Sequence, residues 1–313
     1  MTVVTPRVVG IGAMNMDHHY RVEAILRDGE APVEEYLQSP GGSAANTIYA
    51  LGRLGISTRF LGAVGEDDYG RTLVADLSGA GVDTSYIAVK KGRPSGQVLA
   101  LVDRSGHRSL YALPGANSHL SMDDIPRNYL SNTGCLHLSA FVGDEQLGLQ
   151  RELTASLPHG VQLAFSPGAL YADRGWGQVA PIVSRSNILF ANRDEILQLT
   201  GTGLPEAAQR CLDAGCHMVV VTSGGADEVC AIYQKDKEHV VAPAFKAAQV
   251  KDSTGAGDAF AAGFLYGLLR EGDTEECARL GEIMAVISLR GLGARSGLPS
   301  ETELLLQRAS LLL

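Results

Sequence analysis

The chain has 313 residues, 45% hydrophobic and 19% charged, and a net charge of −9 from 26 basic and 35 acidic side chains. That balance suits a globular chain with a full apolar core. The acidic surplus, with no basic run longer than Lys90-Lys91, excludes the basic face of a nucleic-acid binder. No apolar stretch approaches the ~20 residues that span a membrane. Residues 1–12 run straight into a strand-like segment without the long apolar core of a signal peptide, so a cytoplasmic protein is expected. Five cysteines, an odd number without a CxxC, read as small buried hydrophobes in a reducing compartment.

In chain order, residues 7–11 (RVVGI) read as a strand, 44–54 as a helix, 59–64 as a strand and 69–80 as a helix. Further strands are expected at 162–165, 188–191 and 217–222, with helical segments such as 205–214 between them. The alternation predicts an α/β fold: a three-layer core with a mostly parallel sheet, helices on both faces and right-handed crossovers. Ligands then sit beyond the carboxyl ends of the strands. Two segments, 13–38 and 85–113, break the alternation with consecutive strand-like pieces. One of these is a hairpin of 97–102 and 108–112. They predict a small β-strand lid inserted in the single domain, able to cover a site and exclude water, or an edge hairpin without that role.

Lys251-Asp252-Ser253-Thr254-Gly255-Ala256-Gly257-Asp258 leads from a loop of small residues into an apolar helix over 259–269. Backbone amides of Gly255, Ala256 and Gly257 at a helix N-terminus form an anion hole with a favourable dipole. Such a hole stabilises charge on a transferred phosphoryl group. Asp258 beside it can accept the proton of an attacking hydroxyl, or it can simply cap the helix. The residues alone leave both readings open.

Gly-Ala-Gly-Asp in this setting resembles the signature of the ribokinase-like (PfkB) family of sugar and nucleoside kinases. A second stretch, Pro40-Gly41-Gly42-Ser43-Ala44-Ala45-Asn46, followed by Leu51-Gly52-Arg53-Leu54-Gly55 and Gly62-Ala63-Val64-Gly65-Glu66-Asp67, is similar to that family's N-terminal signature. The likeness covers essentially the whole chain, 1–313, as one kinase domain with lid segments. It implies ATP and Mg²⁺, and transfer of a phosphoryl group to a hydroxyl of a sugar or nucleoside, with Asp258 as the base. It implies substrate contacts at Asn15, Asp17, Gly41, Gly42 and Asn46, and a homodimer through the lid. It also assigns Asn192 and Glu195, an Asn-x-x-Glu element, to ATP phosphates and to Mg²⁺ held through water, a mode that metal prefers. These two residues equally satisfy a helix start with an Asn cap. Thr222 and Gly224 match the nucleotide loop, whose third glycine position is Asp227 here. The loop 290–297 resembles the segment near adenine, and with Asp252 it can hold a monovalent cation such as K⁺.

One departure concerns the acceptor. Where ribokinases place a Glu against ribose, this chain reads His137-Leu138-Ser139-Ala140-Phe141-Val142-Gly143, with no Glu before Glu145, so ribose is not the expected substrate. Phe141 there either packs on a base or sugar face or sits in the core. A phosphorylated acceptor, such as a ribose or fructose phosphate, is the alternative. Lys90, Lys91, Arg93, Arg104 and Arg108 are its candidate cations. A non-catalytic sugar- or nucleotide-binding module would lose the base or the anion-hole glycines, and both are kept. Gly10-Ile11-Gly12-Ala13-Met14-Asn15 lacks the third glycine of a dinucleotide fingerprint, and no Walker A pattern occurs.

Overall fold

The computed structural model describes residues 8–105, 107–126, 133–223, 229–235, 237–241, 243 and 250–311. Short apolar runs set its frame. β1 (Val8–Ile11), β4 (Thr58–Gly65), β5 (Asp83–Lys90), β8 (Cys135–Ser139), β9 (Gln162–Ser166), β10 (Ile188–Asn192) and β11 (Met218–Thr222) pair in parallel. β12 (Cys230–Gln234) and β13 (Lys237–Val241) add antiparallel strands at one edge. The order is β13-β12-β11-β10-β9-β8-β1-β4-β5. Strands such as VVGI and MVVVT are apolar without interruption because a parallel sheet is covered on both faces.

The period of two along each strand divides the core. Val8, Phe60, Cys135, Phe190 and Val220 point into one apolar cluster, and Val9, Leu61, Leu136, Leu189 and Val219 into the other. Helices α1 (Ser43–Arg53), α2 (Asp68–Gly79), α8 (Ala256–Leu269), α9 (Thr274–Ser288) and α10 (Glu301–Ser310) cover the first face. Helices α3 (Asp144–Ala155), α4 (Gly168–Ala172), α5 (Trp176–Val183), α6 (Arg193–Thr200) and α7 (Glu206–Asp213) cover the second. The expected α/β core is therefore present, with strands and helices within a few residues of their sequence positions.

A separate four-stranded sheet, β3-β2-β6-β7, is built from β2 (Asn15–Val22), β3 (Val33–Gly41), β6 (Gly96–Asp103) and β7 (Arg108–Leu113). It matches the expected lid except at residues 85–90. These belong to β5, the outer parallel strand of the large sheet beside β4. SYIAVK reads together with the lid strands because no helical segment separates it from β6. The connection into the small sheet is pinned at Ser95, which is buried. Its N–H and Oγ donate to Asp67 (2.7 and 2.6 Å), and its Oγ accepts from the Gly65 N–H (3.0 Å). Asp67 also caps α2 by accepting from the Gly70 N–H, so one carboxylate fixes a helix start and the entry to the small sheet together.

His137, on β8, is fully buried, and neither ring nitrogen has a hydrogen-bond partner among the described residues. Burial pushes its pKa down to about 4 from 6.5, so the folded chain holds it neutral. Between pH 6.5 and 4 the unfolded chain binds the extra proton, and stability falls as pH drops through that window. Taking wild type from pH 7 to pH 5 should therefore cost about 2 kcal/mol more than the same change costs His137→Leu. Urea unfolding at the two pH values measures this, and equal losses would contradict it.

Candidate active site

The chain leaves β1 at its carboxyl end, between β4 and β8, where the strand order reverses direction. Asn15 and Asp17 follow on β2. The chain returns along β3 to Gly41 and turns into α1 at Gly42. Gly42 has φ 105°, and a Cβ on it would lie 2.0 Å from the Ala13 carbonyl oxygen. A Cβ on Gly41 would lie 2.0 Å from Asp17 Oδ2. Only glycines let the lid strand end this close to Asp17. The first turn of α1 is tied to the large sheet by the Ala44 N–H, which donates to Ser139 Oγ at the end of β8 (2.8 Å).

α8 begins beside it. Gly255 is its N-cap at φ 76°, ψ 2°, where a non-glycine residue is disfavoured. Asp258 does not cap this helix. Its carboxylate instead reaches across to α1, where Ser43 Oγ donates to Oδ1 (2.6 Å) and Asn46 Nδ2 to Oδ2 (2.8 Å). Thr47 Oγ1 donates to the Asp258 carbonyl (3.3 Å). Of the three amides expected to form the anion hole, that of Ala256 donates to the Ser253 carbonyl over a long 3.3 Å. Burial pushes the Asp258 carboxyl up to about 6, helped by the negative charge of Glu195. The Ser43 and Asn46 hydrogen bonds and the Arg295 charge pull the other way. A carboxylate with a pKa near neutral is suited to taking a proton.

Asp17 is buried, and its Oδ1 has no partner among the described residues. Burial pushes it up to about 7, opposed by Arg295 and reinforced by Asp258 and Asp252. A buried acceptor without a donor is costly unless a ligand supplies one. Asn15 is oriented by Asn117, which is buried in the short turn Gly115–His119. Asn117 donates to Asn15 Oδ1 (2.9 Å) and to the Met14 carbonyl (3.0 Å), and accepts from the Met14 N–H (2.9 Å). Asn15 is thus left with its NH₂ group to offer.

Asn192 and Glu195 form a reciprocal capping box at the start of α6, just past β10. Asn192 accepts from the Glu195 N–H (2.8 Å), and Glu195 Oε2 accepts from the Asn192 N–H (2.9 Å). Burial raises the Glu195 pKa. Thr222 ends β11, and Gly224 lies outside the described residues. Asp252 links two loops: Oδ1 accepts from the Thr254 N–H and Oδ2 from the Gly293 N–H, both at 2.9 Å. These backbone bonds hold its pKa low against burial.

Of the expected residues, Asn15, Asp17, Gly41, Gly42 and Asn46 lie around the N-terminus of α1 and Asp252, Gly255, Ala256, Gly257 and Asp258 at that of α8, whereas Asn192 and Glu195 start α6 and Thr222 ends β11. Three others were not given a role from sequence: Ser43, Asn117 and Arg295. Ser43 stands inside the quoted glycine motif, and Arg295 is one of two arginines, with Arg290, in a glycine-rich loop. Asn117 carries no pattern at all. Phe141 is buried in the second apolar cluster, which favours the core role. Glu145 is exposed on α3. Lys90 is held by both oxygens of Asp124 (2.8 and 2.7 Å), and Arg104 by Glu34 and Glu23.

A helix-start glycine loop with a carboxylate beside it and a small sheet above suits a small-molecule kinase. A family model, pfkB family carbohydrate kinase, matches residues 5–301, and the chain belongs to that family. An uncharacterised sugar kinase from Archaeoglobus fulgidus is 38% identical over 81% of this chain and 99% of its own length. An ATP-dependent ribose-1-phosphate kinase from Halopiger xanaduensis is 30% identical over 93% of this chain and 94% of its own. The structure of Arabidopsis thaliana ribokinase complexed with ribose and ATP superposes with a TM-score of 0.83 at 25% identity, covering 99% of each chain.

The hydrogen bonds that Asp258 accepts favour its ionised form. Ser43→Ala should move the Asp258 titration upward from about 6, read by carbon-13 NMR of the carboxyl group. An unmoved titration would contradict the geometry.

Proposed function

We propose that this kinase uses ATP to phosphorylate a hydroxyl of a sugar or nucleoside, with Asp258 as the general base. The observation that carries the reading is the Asp258 carboxylate, pushed up to about 6 at the start of α8 and aligned by Ser43 and Asn46. The acceptor lies beneath the small sheet. Asn15 donates to one hydroxyl, and the unpartnered Asp17 Oδ1 accepts from a neighbouring one. Gly41 and Gly42 bring backbone to within reach, and Asn46 offers its second amide hydrogen. Asp258 takes the proton of the hydroxyl that attacks the γ-phosphorus in line. Amides of Gly255, Ala256 and Gly257, with the α8 dipole, hold the charge that builds on the phosphoryl oxygens. Closure of the small sheet keeps water from the γ-phosphate.

Asn192, Glu195, Thr222 and Gly224 bind the nucleotide in this scheme. Glu195 uses one oxygen on the Asn192 N–H and retains the other for water, which fits a hydrated Mg²⁺; bound there, the metal would neutralise phosphate charge. Asp252, held ionised where two loops meet, fits a K⁺ ion beside the anion hole. The small sheet exposes Tyr36, Leu99, Tyr111 and Leu113 on one face, which supports a homodimer paired through it. The alternative acceptor, a sugar phosphate, is favoured by the Halopiger xanaduensis relative. Against it, Lys90 and Arg104 are committed to carboxylates.

The test is an ATP-consumption screen over free sugars, nucleosides and sugar phosphates, with and without K⁺. Acceptor-dependent ADP release with at least one neutral polyol is expected, faster with K⁺. Turnover with sugar phosphates alone would select the alternative, and silence across the panel would overturn the kinase reading of the site. Sedimentation velocity on the same preparation should read a two-chain mass; a monomer would remove the dimer.

A further inference from the structure

Arg295 lies in the loop between α9 and α10 and is only 8% exposed. A guanidinium offers its donors in a rigid planar fork, and here that fork is divided among three elements. Nη1 pairs with Asp76 on α2. Nη2 donates to the carbonyl of Gly41, the last residue of β3 (3.1 Å). Nε donates to Asn46 Oδ1 on α1 (2.9 Å). The group also stacks over the Tyr49 ring, 5.2 Å from its centroid.

The third bond decides the sense of the Asn46 amide. With Oδ1 facing Arg295, Nδ2 faces Asp258 and donates to Oδ2 at 2.8 Å. The flipped amide would set its NH₂ against the guanidinium and its oxygen against the carboxylate, which is repulsive at both ends. An ion pair that served stability alone would need only Asp76. The other two bonds go to the point where the small sheet joins the core and to the side chain that holds the base.

We propose that Arg295 is a positioning residue for phosphoryl transfer, locking Asn46 in the orientation that aligns Asp258 and fixing the hinge of the small sheet at Gly41. Its guanidinium is engaged by Asp76, Gly41, Asn46 and the Tyr49 ring, so it acts through Asn46. The proposal rests on the reading of Asp258 as the base. Asp258 is faced by Ser43, Asn46 and Thr47 from α1, by the charges of Glu195 from α6 and Asp17 from β2, and by that of Arg295. Arg295 is the cation among them, so its loss also moves the base's titration upward.

The test uses Arg295→Met, which removes the charge, and Arg295→Lys, which keeps it but cannot reproduce the fork. Each is made with and without Asn46→Ala. Asp258→Asn serves as the control that fixes the floor of activity. A base misaligned by a fraction of an ångström should lower kcat at least ~10-fold in both Arg295 variants. The KM for ATP should stay within about twofold, since the Arg295 fork is committed to protein groups. The acidic limb of the pH–kcat profile should shift upward in Arg295→Met and stay in place in Arg295→Lys. Asn46→Ala should cost much less in either Arg295 background than alone, because the two residues act as one unit. Wild-type kcat in both variants, or losses that add with Asn46→Ala, would overturn the proposal and leave Arg295 a structural residue. If Arg295→Met fails to fold, the Arg295→Lys cycle decides the question by itself. Normal turnover in Asp258→Asn would instead overturn the base assignment, a separate outcome.

Discussion

A carboxylate on one helix, held by two donors on another, is the contact on which the site depends. Asp258 starts α8, while Ser43 and Asn46 start α1, more than 200 residues earlier in the chain. The hydrogen bonds between them set the two helix N-termini side by side beyond the end of β1. That arrangement places the left-handed turn at Gly255, the glycine pair at Gly41-Gly42 and the first residues of the small sheet within one region. Without it each piece is a commonplace helix start.

The electrostatics of the region are unfavourable by design of the packing. Asp258 and Asp252 both bear on Asp17, and Glu195 on Asp258, while the buried Arg295 opposes the rise at Asp17 and Asp258. Burial raises Asp17 and Asp258 to about 7 and 6, whereas backbone amides keep Asp252 low. Like charges gathered in a part-dry site weaken the fold, as active sites commonly do. The same strain leaves one carboxylate able to accept a proton near neutral pH and another with a buried oxygen that has no donor among the described residues. Stability is recovered elsewhere, in the two apolar layers that sandwich the sheet.

The core of the fold was legible because parallel strands buried on both faces are uninterrupted apolar runs, and VVGI or MVVVT resemble little else. Residues 85–90 misled because β5 runs into β6 with no helix between them, so the strand-like run gave no sign of passing from one sheet to the other. At the site, Gly255 and Asp258 stood out as a loop of small residues running into an apolar helix, whereas Gly41 and Gly42 read only as a turn until their resemblance to the family's signature was added. Whether Asp258 capped its own helix could not be read, since its partners are remote in sequence. The helix-start reading of Asn192 and Glu195 was local and is realised as a capping box. Arg295 and Asn117 escaped because their roles are made by contacts 249, 254 and 102–103 residues away, which no local pattern encodes.

The central claim is that Asp258 removes the proton from the attacking hydroxyl while others bind the nucleotide. Single-turnover phosphoryl transfer in Asp258→Asn, with ATP binding measured on the same protein by calorimetry, tests it most directly. The account predicts a transfer rate lower by at least ~10²-fold with ATP affinity nearly unchanged. A near-normal transfer rate would contradict it.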